Sequence, residues 1–338
     1  DDIMKVAIVS VSDKGKKLGV TIKEKMDNDS TIIRADVFHK NVKKYLKIAF
    51  YEYDAIIAVM ASGILIRSIA PYIESKTSDP AVLNIDDNGN FVISTLSGHL
   101  GGANSLTNKI AALIGATPVI TTSSDINNRL GIDVLARDLY LSIDKPKEIL
   151  FFNKAIIEGH EITLTSKSKK EYLIEYLKNN TLEIDVCFNY SEDLDEDEIR
   201  VSLDNHELTL KERKMVVGIG CRRGKECEKI YEGLKKSFSD LNIDKSRVNQ
   251  FASAEIKKDE KGILELSEKL NVPVNFVELE KLKLFDSNDV QKSEFVKSKF
   301  GIYGVCEPSA LIMAGFDSKL IYKKTSFDGV TIAVAISR

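Results

Sequence analysis

The sequence predicts an α/β protein: two three-layer α/β domains with mostly parallel or mixed sheets, joined by a small α/β connector. Three observations carry that reading. Apolar, strand-like runs alternate with helix-like runs over residues 1–125 and again over 214–338, as expected of βα units. In each region one strand ends in a glycine-rich turn that opens into a helix, SGHLGGAN (97–104) and GIGCRRG (218–224). A chain of 338 residues is long enough for two or three domains, each burying its own core.

Taken in order, KVAIVSVS (5–12) reads as a strand and KKLGVTIKEKM (16–26) as the helix after it. TIIRADVF (31–38) is a second strand, followed by a helix over NVKKYLKIAFYEY (41–53). AIIAVMA (55–61) is almost continuously apolar, the mark of a strand covered on both faces. It breaks at Ser62 and Gly63 into ILIRSIAPYI (64–73), a helix carrying Arg67. AVLNID and FVISTL (91–96) flank an Asn-Gly hairpin signal at Asn88 and Gly89. A helix over SLTNKIAALIG (105–115) and the strand PVITTSSD (118–125) close the region.

The connector, 126–213, is more polar. KPKEILFFNKAIIEGH and KKEYLIEYLKNN have helical spacing, EITLTS reads as a strand, and the acidic SEDLDEDEI (191–199) is expected to be a solvated loop. The last domain starts with the strand MVVGIGC, followed by the helix ECEKIYEGLKKSF. VNQFASAE (248–255) and PVNFVEL (273–279) are strands around the helix KGILELSEKL (261–270). A helix around DVQKSEFVKSKF precedes CEPSALIMAG (306–315), whose Pro308 suits a first helical turn. LIYKKTS and VTIAVAIS form a closing hairpin at Asp328 and Gly329.

Composition excludes several classes. A net charge of −3, with acids and bases interspersed, gives no basic field for nucleic acid. No apolar run reaches membrane-spanning length, and the first residues run straight into a strand, so no leader and a cytoplasmic location are expected. Cys187, Cys221, Cys227 and Cys306 form no CxxC pair and have no histidine at finger spacing, so reduced thiols and no protein metal site are expected. His39, His160 and His206 are expected at the surface.

The chemistry concentrates in the glycine-rich turns. A helix N-terminus after SGHLGGAN offers backbone N–H groups to anions. Gly98, Gly101 and Gly102 permit unusual φ and close approach, and His99 titrates near neutrality. A structural βα turn with an exposed histidine is the competing reading. GIGCRRG departs from the dinucleotide G-x-G-x-x-G spacing, which weakens a nicotinamide reading. Arg222 and Arg223 suit carboxylate or phosphate, against a plain turn with solvated arginines. Cys221 is read as a packing residue, because nothing places a base beside it. Glu307 favours a helix N-terminus through the macrodipole. Thr121, Thr122 and Asp125 end a strand on the same sheet edge as SGHLGGAN, and in open α/β sheets such edges carry ligands.

Together these segments resemble the cobalamin-biosynthesis protein G family, the cobalt-precorrin-5A hydrolases of anaerobic vitamin B12 synthesis. In the first domain the resemblance rests on VMASGILIRSIAP, SDPAVLNIDDNGNFVISTLSGHLGGAN and ATPVITTSSD. In the last it rests on VVGIGCRRG, FASAEIKKDEKGILELSEKL, PVNFV, GVCEPSALIMAG and VTIAVAIS. The connector matches only in position and size. The resemblance implies a cobalt-containing tetrapyrrole substrate with a ring-A acetate δ-lactone. Water opens the lactone, and C20 leaves with its methyl as acetaldehyde. The cobalt then arrives with the substrate, and no cofactor is required.

Within that chemistry His99 is the candidate base, with Asp125 as an alternative proton acceptor and Glu307 as a further candidate. Ser62, Gly63, Arg67, Ser97, Gly98, Gly101, Gly102, Asn104, Thr121 and Thr122 are candidate substrate contacts in the first domain. Gly218, Gly220, Cys221, Arg222, Arg223, Gly224 and Glu255 are their counterparts in the last. The two glycine-rich edges are expected to face a common cleft, because a tetrapyrrole is too large for one turn. A non-catalytic corrinoid carrier and a Rossmann-like oxidoreductase or transferase are the alternatives. Homo-oligomers and transient contacts with neighbouring pathway enzymes are the expected protein partners.

Overall fold

The computed structural model describes residues 5–76, 78–122, 131–180, 185–287, 290–292 and 294–338. The chain divides into two compact units, Asp1–Asn128 and Arg129–Arg338.

The first unit holds a six-stranded sheet in the order β2-β1-β3-β4-β5-β6. Its elements are β1 (Lys5–Ser10), α1 (Asp13–Asp27), β2 (Arg34–His39), α2 (Val42–Glu52), β3 (Ala55–Val59), α3 (Ser62–Ile69), β4 (Ala81–Ile85), β5 (Phe91–Leu96), α4 (Ala103–Ile114) and β6 (Thr117–Val119). Ile8, Ile57 and Leu83 pack with Ile22 and Met26 of α1 and Leu106 and Ile110 of α4. Val9, Ile56 and Ala58 pack with Leu46 and Phe50 of α2 and Leu65 and Ile69 of α3. Every residue of β3 is therefore buried, which is why its sequence does not alternate.

Strands β1 to β4 run parallel, whereas β5 is antiparallel to β4 and β6 is parallel to β5. The turn between β4 and β5 is built on Asp86, whose carboxylate accepts the N–H groups of Asn88, Asn90 and Phe91. Gly89 there has φ +69°. The hairpin expected from Asn-Gly is thus present, and it turns the sense of the sheet over. β1–β4 end on one edge, and β5 and β6 end on the other.

The second unit contains two sheets. The connector sheet, in the order β7-β11-β10-β8-β9, comprises β7 (Leu141–Ile143), β8 (Ile162–Ser166), β9 (Val186–Tyr190), β10 (Glu198–Leu203) and β11 (His206–Glu212). It carries α5 (Ile132–Asp138), α6 (Ile149–Ile157) and α7 (Glu171–Asn180). Helix α5 and the β10–β11 hairpin lie outside the sequence expectation. The acidic segment is only partly a loop: Glu198 and Ile199 already belong to β10, with Ile199 fully buried, and Leu194 is also buried.

The last sheet, in the order β14-β13-β12-β16-β15, contains β12 (Met215–Cys221), β13 (Gln250–Ala254), β14 (Val274–Val277), β15 (Lys319–Phe327) and β16 (Val330–Ile336). Its helices are α8 (Cys227–Leu241), α9 (Lys261–Leu270), α10 (Leu279–Leu284), α11 (Glu294–Phe300) and α12 (Cys306–Ala314). β12, β13 and β14 are parallel, and β16 pairs antiparallel with β12. The closing hairpin turns at Asp328 (φ +48°) and Gly329 (φ +79°). Helix α12 lies so close to β12 that a Cβ on Gly218 would stand 1.8 Å from the Cys306 carbonyl oxygen.

A buried charge cluster ties the connector to this sheet. Arg247, 1% exposed, donates to the carbonyls of Leu139 (2.8 Å), Tyr140 (3.0 Å) and Arg213 (2.7 Å) and to Asn249 Oδ1 (2.7 Å). Glu212 accepts from Lys170 Nζ (2.9 Å), Tyr172 OH (2.7 Å) and Asn249 Nδ2 (2.8 Å). Burial alone would raise the Glu212 pKa, but Arg247 and Lys170 hold the carboxyl below its ordinary range.

Candidate functional site

SGHLGGAN follows β5 and ends at the first turn of α4. Ser97 takes a left-handed conformation, φ +56°, that redirects the chain out of the sheet. The loop then closes on itself. Ala103 N donates to Ser97 O (3.1 Å), Asn104 N to Gly98 O (3.0 Å) and Gly102 N to His99 O (3.1 Å). The Gly102 N–H is therefore spent within the loop and is not open to an anion. The N–H groups of Gly98, Leu100 and Gly101 make no hydrogen bond among the described residues, so the donor set moves toward the tip of the loop. His99 is half-buried between them.

Asn104 braces this edge. Its Oδ1 accepts from Ser94 Oγ (2.6 Å), and its Nδ2 donates to Thr122 Oγ1 (2.8 Å), which fastens the chain after β6 to the loop. A Cβ on Gly98 would stand 2.8 Å from Asn104 Oδ1, so only glycine fits beside that brace. Thr121 is exposed on the same edge, while Asp125 lies outside the described residues.

Ser62, Gly63 and Arg67 are not brought to this loop. They follow β3, whose end lies on the opposite sheet edge, about 17 Å away along a five-residue strand. The Asn88-Gly89 hairpin signal already implied this, since an antiparallel β5 must end where β4 begins. Ser62 Oγ donates to Asn84 Oδ1, and the Asn84 amide donates to the Met60 carbonyl (2.7 Å). The Arg67 guanidinium folds back to 3.2 Å from where a Gly63 Cβ would be.

The same edge holds a residue that sequence reasoning placed at the surface. His39 is mostly enclosed, its side chain 16% exposed, with Nδ1 3.0 Å from Ser10 Oγ and Nε2 3.1 Å from Asp13 Oδ1. The partners are 29 and 26 residues away, so no local pattern revealed them. Ser10 is fully buried, and the trio serves as a tie between β1, β2 and α1 rather than as a nucleophile.

In the second unit, Cys221, Arg222, Arg223 and Gly224 sit at the end of β12, beside Glu255 at the end of β13. Arg222 N donates to Gly329 O (3.2 Å), which fixes the turn against the closing hairpin. Gly224, at φ +77°, donates its N–H to Glu260 Oε1 (2.7 Å). Glu260 is 4% exposed, with Lys257 Nζ 3.7 Å from its other oxygen. Sequence reasoning missed Glu260 because the residue it supports is 36 positions away.

Arg222 and Arg223 are exposed, and Arg223 lies 3.6 Å from Asp259. Gly220 leaves room for Thr331, whose Oγ1 would stand 2.4 Å from a Cβ there. Burial pushes the Cys221 thiol pKa up, in line with packing. Glu255 Oε1 accepts from Leu279 N (2.8 Å) and so holds the entry to α10. Glu307 stands apart, 1% exposed, its two oxygens accepting from Gln291 N (2.6 Å) and Lys324 N (2.7 Å). Burial raises its pKa, and both oxygens are engaged, one fastening α12 to β15 through Lys324 and the other to the segment before α11 through Gln291. Among the described residues, no group of three or more His, Cys, Asp or Glu could hold a metal ion.

Residues 44–125 match the model described as cobalamin synthesis G N-terminal, and residues 215–335 the model for the cobalamin synthesis G C-terminus. The chain is 35% identical to the protein named "Probable cobalt-precorrin-5A hydrolase" of Methanocaldococcus jannaschii, an alignment covering 98% of this chain and 99% of that one. The chain belongs to the cobalamin synthesis G family.

A second member of that family, the cobalt-precorrin-5A hydrolase of Priestia megaterium, is 30% identical over 89% of this chain and 83% of its own length. The solved structure of a cobalamin biosynthesis protein G homolog from Sulfolobus solfataricus superposes with a TM-score of 0.63 at 27% identity. That superposition covers 100% of this chain and 99% of the other. Both glycine-rich loops lie inside the segments matched to the cobalamin synthesis G models, and the connector lies between those segments.

Proposed function

We propose that this member of the family is a cobalt-precorrin-5A hydrolase of cobalamin biosynthesis, opening the ring-A lactone and releasing acetaldehyde to give cobalt-precorrin-5B. The observation that carries this reading is the end-to-end match to a relative of that name, with both units included. Lactone opening needs an activated water and donors for a developing oxyanion. His99 supplies the base. The N–H groups of Leu100 and Gly101 on either side of the loop tip supply donors. The C20 hydroxyl then loses its proton to His99 or Asp125 as the carbon–carbon bond breaks, with the conjugated ring as electron sink. The exposed Arg67 guanidinium suits an acetate or propionate arm. The cobalt enters with the substrate. No helix among the described residues is long and apolar enough to cross a membrane.

Incubating the purified chain with cobalt-precorrin-5A and assaying acetaldehyde tests the proposal. Stoichiometric acetaldehyde is expected. Tight binding of the corrinoid without acetaldehyde would replace the hydrolase reading with that of a carrier.

A further inference from the structure

We propose that the Ser97 hydroxyl is a substrate donor, turned onto the acyl oxygen of the lactone when the loop gives up its left-handed residue; this rests on the hydrolase reading above. Ser97 is held at φ +56°, a region that only glycine enters without steric cost. It is 9% exposed, and its Oγ is buried with no hydrogen-bond partner among the described residues. A buried hydroxyl in that state has lost its water and gained nothing in exchange. Glycine at this position would remove both penalties.

The loop also makes room for the serine. A Cβ on Gly101 would stand 2.5 Å from Ser97 Cβ and 2.8 Å from Ser97 O. Position 101 lacks a side chain so that position 97 can carry one. Three concessions thus surround one hydroxyl, beside the unengaged N–H groups of Gly98, Leu100 and Gly101.

A local movement would put the hydroxyl to use. Gly98 has no Cβ, so the peptide unit joining Ser97 to Gly98 can rotate with little hindrance. That rotation changes ψ of Ser97 and φ of Gly98; a turn about the Ser97 N–Cα bond, which sets φ, returns Ser97 to an ordinary conformation, and together they break the 3.1 Å bond from Ala103 N to Ser97 O. The first N–H of α4 is then exposed at the moment the hydroxyl turns outward. Both point at an oxygen that gains negative charge as water adds to the lactone carbonyl. Ser97 acts as a donor only and forms no bond to carbon.

The test uses full-length Ser97→Gly and Ser97→Ala, with Thr107→Val for comparison. Thr107 lies in α4, fully buried, and also has an unpartnered hydroxyl, but on ordinary helical backbone. Both Ser97 variants are expected to lose roughly 10²-fold in kcat/KM for acetaldehyde release. Substrate Kd, followed in the visible absorbance of the corrinoid, should rise roughly tenfold. The Tm of Ser97→Gly should equal or exceed that of the parent, and Thr107→Val should keep parental kinetics. Parental kcat/KM in the Ser97 variants, a lowered Tm in Ser97→Gly, or an equal loss in Thr107→Val would each overturn the inference. If the parent itself releases no acetaldehyde, the hydrolase reading fails. Ser97 is then judged on Kd alone, where an unchanged value overturns it.

Discussion

His99 places an imidazole between unengaged backbone donors, a setting that no other histidine among the described residues has. Replacing it with alanine should leave Tm unchanged, since a half-buried loop side chain contributes little to a core. Acetaldehyde release should fall by about 10²–10⁴-fold, the usual worth of a general base. A parental rate in His99→Ala would move the role to Asp125. The loop was legible because its glycines, histidine and asparagine are contiguous. What each residue does there was less legible. Asn104 is a brace with both amide atoms engaged, and Gly102 uses its N–H on His99 O. Glu307 and Glu255 each accept backbone N–H groups from distant segments. Bonds that span 16 to 36 residues leave no periodic trace, and Glu260 went unnoticed for that reason.

Among the elements, those carrying apolar runs were readable and those of mixed polarity were not. β11 reads HELTLKE, with only Leu208 and Leu210 turned inward, so its alternation hides among charges. Its last residue, Glu212, then becomes the centre of the buried cluster that joins the connector to the last sheet. The folded pKa of Glu212 is depressed, so its contribution to stability is complete above the unfolded carboxylate pKa and is lost as pH falls through the folded value. The second unit should therefore lose stability below about pH 4. Glu212→Gln should be less stable at pH 7 by about 3–5 kcal/mol, because Arg247 and Lys170 lose their buried counter-charge. Its acid limb should also be shallower. Urea unfolding followed by circular dichroism from pH 3 to 7 checks both, and a limb parallel to the parent's would refute the assignment.

At the scale of the molecule, the alternation of strands and helices disclosed an α/β architecture, and the structure has it. The sheet of the first unit changes direction at β5, and that has a consequence for how its residues combine. Ser62, Gly63 and Arg67 are about a strand length away from Ser97, His99 and Asn104, so the two groups form separate thermodynamic compartments. In a double-mutant cycle on kcat/KM, Arg67→Ala and His99→Ala should add to within about 0.5 kcal/mol. Asn104→Ala and Thr122→Ala, joined by a 2.8 Å hydrogen bond, should not. A large coupling between Arg67 and His99 would mean that one rigid ligand reports each change to the other. Additivity would mean that the two edges can be altered independently, so that the grip on the substrate's periphery can drift without disturbing the residues that act on its lactone.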